Sequence, residues 1–113
     1  MHYYDNIKPR MATQSAWDRH YTATYKGGPM GLGTWVREAR ARGKKLAVSE
    51  WGVWDQGSVA AADNALYVAN MHRFFRANAA ILAYENYFNC PREHQLHPSA
   101  RFPRARDEYR RLW

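Results

Sequence analysis

Three short β-prone runs alternate with helical patterns along this chain, and that alternation limits the folds open to it. His2-Tyr3-Tyr4 reads as the end of a strand, with Asp5-Asn6 opening a turn. Leu32, Trp35, Val36 and Ala39 recur at i, i+3, i+4 and i+7, which predicts a helix over residues 31–42. Gly43 is placed to end that helix in a left-handed conformation. Residues 45–50 follow as a short strand with no room for a long loop before it. Asp63 is the expected N-cap of a helix over 64–78, whose apolar stripe is Tyr67, Met71, Phe74 and Phe75, with Asn70 as the polar exception. Residues 79–88 form the next strand, and the unbroken Ala79-Ala80-Ile81-Leu82-Ala83 predicts burial on both faces, as in a parallel sheet. Pro103 suits the first turn of a last helix, where Phe102, Ala105, Tyr109 and Leu112 recur on one side. A shorter helix is expected around 15–25, within a long connection over 6–30 that Gly27-Gly28-Pro29 punctuates. Strand followed by helix, three times over, argues for an α/β fold of parallel βα units. Three such units can be part of a barrel but cannot close one.

The chain has 113 residues, enough for one small domain, and 46% hydrophobic with 15% aromatic residues sets it apart from disordered sequences. No run approaches the ~20 apolar residues of a membrane span, so no membrane partner is expected. The start, Met1-His2-Tyr3-Tyr4, lacks the basic and then apolar regions of a signal peptide. A single cysteine, Cys90, excludes an internal disulfide. The net charge of +7 raises the question of a polyanionic partner. Most of the cations, however, fall within helix-like patterns and read as solvated outer faces, and no nucleic-acid motif accompanies them. Cys90, His94 and His97 have a spacing compatible with metal in principle, yet no fourth ligand is evident, so no metal is expected. No P-loop, GxGxxG, GxSxG or HExxH pattern occurs, and no cofactor is expected.

The stretch that carries chemistry is Lys45-Leu-Ala-Val-Ser-Glu50-Trp-Gly-Val-Trp54. Sites in parallel α/β proteins lie beyond the carboxyl ends of the strands. Glu50 is at such an end, and Gly52 lets the backbone turn there. Trp51 and Trp54 strengthen a functional reading, because indoles are costly to leave at an exposed loop without a ligand. A carboxylate walled by indoles suits carbohydrate chemistry, in which the acid attacks an anomeric carbon and the rings stack on sugars. In the third strand, alternation places Tyr84, Asn86 and Phe88 on one face and Glu85, Tyr87 and Asn89 on the other. Glu85 within an apolar strand needs a partner or a polar cavity, which leaves a site role and a structural ion pair equally open. Tyr87 and Asn89 suit hydrogen bonds to sugar hydroxyls, or a loop cap. At the matching end of the first strand, a hydroxyl of Tyr3 or Tyr4 is placed to orient a neighbouring carboxylate. Aromatic packing is the alternative for either.

These residues carry a resemblance. Ser49-Glu50-Trp51-Gly52, then Asp63-Asn64 with Met71-His72, then Ala83-Tyr-Glu-Asn-Tyr-Phe-Asn89, then Phe102-Pro-Arg-Ala-Arg-Asp-Glu-Tyr-Arg-Arg-Leu112 resemble the C-terminal part of a retaining (β/α)8 glycoside hydrolase. Within that clan the similarity is to glycoside hydrolase family 26, the β-mannanase-like group. The Gly27–Trp35 segment fits the same picture, and the resemblance covers nearly all of residues 1–113. It implies a partial TIM barrel, with the strands here as about the sixth, seventh and eighth. It implies that Glu50 is the catalytic nucleophile and that Tyr3 or Tyr4 touches it. Trp51 and Trp54 would lie near the substrate cleft, and Tyr87 and Asn89 would line it. The family's general acid/base ends strand four, so the resemblance places it outside these residues. The isolated chain is then expected to be inactive, and to self-associate or dock on a missing barrel half. The implied substrate is a β-linked polysaccharide such as a mannan, and the implied location of the whole enzyme is extracellular. The alternative is a non-catalytic carbohydrate-binding piece using Trp51, Trp54 and Tyr87.

Overall fold

A computed structural model describes residues 1–5, 10–98 and 100–113. Its elements are β1 (His2–Tyr4), α1 (Gln14–Tyr21), β2 (Thr24–Tyr25), β3 (Gly28–Pro29), α2 (Leu32–Ala41), β4 (Leu46–Gly52), α3 (Val59–Ala62), α4 (Ala65–Ala77), β5 (Leu82–Tyr87) and α5 (Pro103–Leu112). The main sheet has the order β1-β4-β5, with both pairs parallel. The expected α/β alternation is therefore present, with β4 as the central strand.

One face of this sheet makes the core. Tyr3, Leu46, Val48, Trp51 and Val53 project from it into a single buried cluster with Trp17 of α1, Leu32 and Val36 of α2, Tyr67, Met71 and Phe75 of α4, and Ala105 of α5. The spacing along β4 is not uniform. Val48 and Trp51 are both fully buried although three residues apart, and the β4–β5 register shifts between them. This irregularity acts as a β-bulge. Strict alternation would put Glu50 on the core face with Leu46 and Val48. The bulge turns it to the opposite face, beside His2 and Tyr4 of β1.

That opposite face is half open. Tyr84 is 51% exposed, His2 and Asn86 are exposed, and Ala47, Ser49 and Glu50 are partly so. The expectation of burial on both faces for residues 79–83 fails here. Ala79, Ala80 and Ala83 are exposed. The run also starts later as a strand than its composition predicts, because the Asn78 carbonyl accepts from the backbone N–H groups of Ile81 and Leu82 and holds a turn.

Two local readings change. The helix over residues 64–78 is capped by Asn64, whose side chain accepts from Tyr67 N, and not by Asp63. Asp63 serves another helix: its Oδ1 accepts from Ala105 N at 2.8 Å. The residue at the N-cap of α5 is Phe102, which has no side-chain oxygen, so the cap comes from across the fold. The helix expected around 15–25 stops at Tyr21, and Thr24–Tyr25 pairs antiparallel with Gly28–Pro29. Lys26 and Gly27 between them have φ of 49° and 78°. Two successive positive angles make the mirror-image turn that closes a tight hairpin.

Candidate active site

β1 and β4 run parallel with His2 opposite Glu50 and Tyr4 opposite Gly52. That register gathers three polar side chains at the carboxyl end of the open face. The Tyr4 hydroxyl donates to Glu50 Oε2 at 2.6 Å. His2 Nδ1 lies 3.4 Å from the same oxygen. The Glu50 side chain is 32% exposed, so it is held on one side and accessible on the other. Burial, and next the hydrogen bond to Glu50 and that carboxylate's charge, push the Tyr4 phenol well above its usual range. Tyr4 therefore stays a hydrogen-bond donor to the carboxylate through neutral pH.

An aromatic wall stands beside this pair. The Tyr4 ring packs against His94, Trp54 and Phe88 at centroid separations of 5.0, 5.4 and 6.2 Å. His94 Nδ1 lies 2.9 Å from the Val53 carbonyl, which only accepts, so that nitrogen carries the hydrogen. Trp54 is partly exposed, and its indole N–H donates to Glu93 at 3.1 Å. The backbone under Trp54 is fixed from below by Asp5, which is fully buried. Asp5 accepts from Trp54 N at 2.9 Å, from Arg10 at 2.8 Å and from Asn64 Nδ2 at 3.2 Å. Burial pushes its carboxyl above the ordinary value, against the pull of Arg10 and these hydrogen bonds. Asp5 thus joins β1, the loop after β4 and the start of α4, and so sets where Trp54 stands.

Of the residues named from sequence, Glu50, Tyr4 and Trp54 are brought together. Tyr3 is not. Its side chain points into the core, where its hydroxyl meets His20 Nδ1 at 3.0 Å and Met11 Sδ at 3.5 Å, and burial pushes the phenol far up. Of the two tyrosines, then, Tyr4 contacts the carboxylate. Trp51 requires a correction: it is 0% exposed and cannot face a cleft. The bulge sends it to the core side, among Phe75, Tyr87 and Trp113, where its indole N–H donates to Glu85. Tyr87 shares that face. Its ring packs on Trp51 and Tyr109, and its hydroxyl donates to the His94 carbonyl at 2.7 Å. Asn89 caps a loop: Oδ1 accepts from Leu96 N at 2.9 Å, and Nδ2 donates to the His97 carbonyl at 2.7 Å. Glu85 accepts a second indole N–H, from Trp113 at 3.2 Å, and so has a structural partner without an ion pair. The sequence reading missed His2 and weighed His94 only as a metal ligand, not as a neighbour of Tyr4. Alternation along His2-Tyr3-Tyr4 would have placed His2 on the Tyr4 face; nothing local places His94 beside Tyr4.

Two further carboxylates are engaged in the interior, Asp5 with Arg10 and Glu85 with two indoles, while Glu93 is exposed beside the aromatic wall, where it accepts from Trp54 and lies 3.9 Å from His94 Nε2. Among the described residues no three His, Cys, Asp or Glu side chains come together as a metal site. Chemically, the arrangement offers one oriented, accessible carboxylate, a phenol that donates to it, and an aromatic surface next to both. The chain matches no protein-family model, no curated protein and no solved structure.

Proposed function

We propose that Glu50 is the nucleophile of a retaining glycoside hydrolase acting on a β-linked polysaccharide such as a mannan. The observation that carries this reading is the Glu50–Tyr4 pair at the carboxyl end of a parallel sheet, on the face that no core cluster covers. One Glu50 oxygen attacks the anomeric carbon as the glycosidic C–O bond breaks. The leaving oxygen takes a proton from a second carboxylic acid. Water then hydrolyses the glycosyl ester, and configuration is retained. Retention calls for two carboxyl groups about 5–5.5 Å apart. The second is assigned to a segment beyond these residues, which fits a partial (β/α)8 barrel. All-parallel sheets are ordinarily covered on both faces; a barrel wall meets that requirement by closing on itself. The sheet order β1-β4-β5 and the helices on one side support the same assignment.

The test uses a 2-fluoroglycoside with a dinitrophenolate leaving group, which departs without an acid. The expected result is a covalent glycosyl adduct on the peptide bearing Glu50, absent from E50Q. A folded wild-type chain that stays unlabelled across manno- and gluco-configured reagents overturns the assignment. The non-catalytic carbohydrate-binding alternative keeps one of its three platforms, Trp54, because Trp51 is buried and Tyr87 is packed and hydrogen-bonded inside.

A further inference from the structure

Both contacts to the Glu50 carboxylate fall on one oxygen. The Tyr4 hydroxyl and His2 Nδ1 each approach Oε2, at 2.6 and 3.4 Å. Oε1 is thereby left for attack, and its direction depends on what holds Oε2. The His2 side chain is 61% exposed and makes the poorer support, so the aim of the carboxylate depends on Tyr4.

Tyr4 in turn packs on three rings, those of His94, Trp54 and Phe88. Trp54 and Phe88 are partly exposed, whereas His94 is buried. His94 also touches the other two, at a centroid separation of 5.1 Å in each case. A closed circuit of hydrogen bonds sets its place. His94 Nδ1 donates to the Val53 carbonyl at 2.9 Å, Val53 N donates to the Tyr87 hydroxyl at 3.4 Å, and that hydroxyl donates to the His94 carbonyl at 2.7 Å. The circuit joins the ends of β4 and β5 to the loop that follows β5. Nε2 lies 3.9 Å from Glu93 Oε2, beyond hydrogen-bond reach, so the ring is fastened through Nδ1.

We propose that His94 is a positioning residue for the Glu50 nucleophile, acting through Tyr4. The proposal rests on the glycosidase reading and extends it from the Glu50–Tyr4 pair to the group that aims that pair. The His94 ring backs the Tyr4 ring, Tyr4 keeps its hydroxyl on Oε2, and Oε1 is held toward the anomeric carbon. A misplacement of about 1 Å at a reacting group can cost on the order of a hundredfold in rate. In this role His94 touches no substrate and needs no change of charge.

The experiment measures the rate constant for labelling of Glu50 by the 2-fluoroglycoside at saturating reagent, in wild type, H94N, H94F, Y4F and the double variant Y4F/H94N. Asparagine keeps an amide N–H for the Val53 carbonyl and removes the ring; phenylalanine keeps a ring and removes the hydrogen bond. H94N should slow labelling about tenfold or more, and H94F should label close to the wild-type rate. In the Y4F background H94N should have no further effect, because the residue it acts through is already silent. H94Q, nearer to histidine in volume, replaces H94N should circular dichroism show that H94N does not fold. Wild-type labelling with an unchanged rate in H94N overturns the proposal and leaves the glycosidase reading standing. So does a change confined to the half-saturating reagent concentration, a fall in H94F as large as in H94N, or an equal fall with and without the Tyr4 hydroxyl. A folded wild-type chain that takes no label overturns both.

Discussion

The two faces of the sheet use the same residue types to opposite ends. On the core face, tyrosine and tryptophan fill space. Trp51 touches Tyr67, Phe75, Tyr87 and Trp113, and the polar tips of three of these rings find partners: Trp51 with Glu85, Tyr67 with the Tyr3 carbonyl, Tyr87 with the His94 carbonyl. On the open face, Tyr4 and Trp54 surround a carboxylate that stays accessible. Composition cannot tell these uses apart. The bulge between Val48 and Trp51 does, because it decides which face each side chain of Ser49-Glu50-Trp51 takes. A patch of aromatics is therefore a binding surface only where its polar neighbours are left available.

The sharpest way to break the contrast is to truncate one indole from each face. Trp51→Ala should cost about 3–5 kcal/mol, as large-to-small changes of buried aromatics do, and should leave the chain largely unfolded by circular dichroism. Trp54→Ala should cost less than about 1 kcal/mol, as surface changes usually do, yet abolish any sugar-induced fluorescence change. Equal losses of stability would erase the distinction between the faces. Next in size is Asp63→Ala, which removes the distant cap of α5. Loss of about 1 kcal/mol in urea unfolding is expected, whereas Asp107→Ala, on the exposed side of the same helix, should change little.

A smaller effect concerns His20, which sits against Tyr3 on the core side. Burial lowers its imidazole below the ordinary 6.5, and its Nε2 is buried without a partner among the described residues. The folded state therefore holds it neutral, while the unfolded chain protonates near 6.5. The resulting contribution to stability is present above that pH and fades as pH falls through the lowered value. Melting temperature should drop between pH 7 and pH 5, and His20→Gln should flatten that slope; an unchanged slope would contradict the buried neutral ring. The smallest stability effect belongs to Tyr4→Phe, within about 0.5 kcal/mol at this half-open position. Its signature is functional: the rate of fluoroglycoside labelling at Glu50 should fall, because the carboxylate loses its orienting donor. Unaltered labelling would assign Tyr4 to packing alone.

Much of this layout was legible from residue spacing. The i, i+3, i+4, i+7 pattern placed α2 within a residue at each end, and Gly43, with φ of 61°, ends it as expected. Glu50 could be picked out because a charged residue closes an apolar strand and two indoles follow it. What spacing could not show was register. A period of two, carried through Val48, puts Glu50 inside and leaves Trp51 free, which is the reverse of what is found. Nor could local sequence reveal that Asn64 outcompetes Asp63 for α4, since both are good caps and the difference lies in a contact with α5. The hairpin at Lys26-Gly27 was hidden because lysine is an unusual occupant of a left-handed position.

The Asp63–Ala105 hydrogen bond also has a kinetic meaning. The donor is 42 residues downstream of the acceptor, so the last helix finds its cap only after the chain has folded back on itself. Basic residues dominate α5, and ten residues are too few to hold a helix in water unaided. Its amides should therefore gain protection from solvent exchange together with those of α4 and never ahead of them. During synthesis α5 leaves the ribosome after α4, so the helix that carries its docking site emerges first.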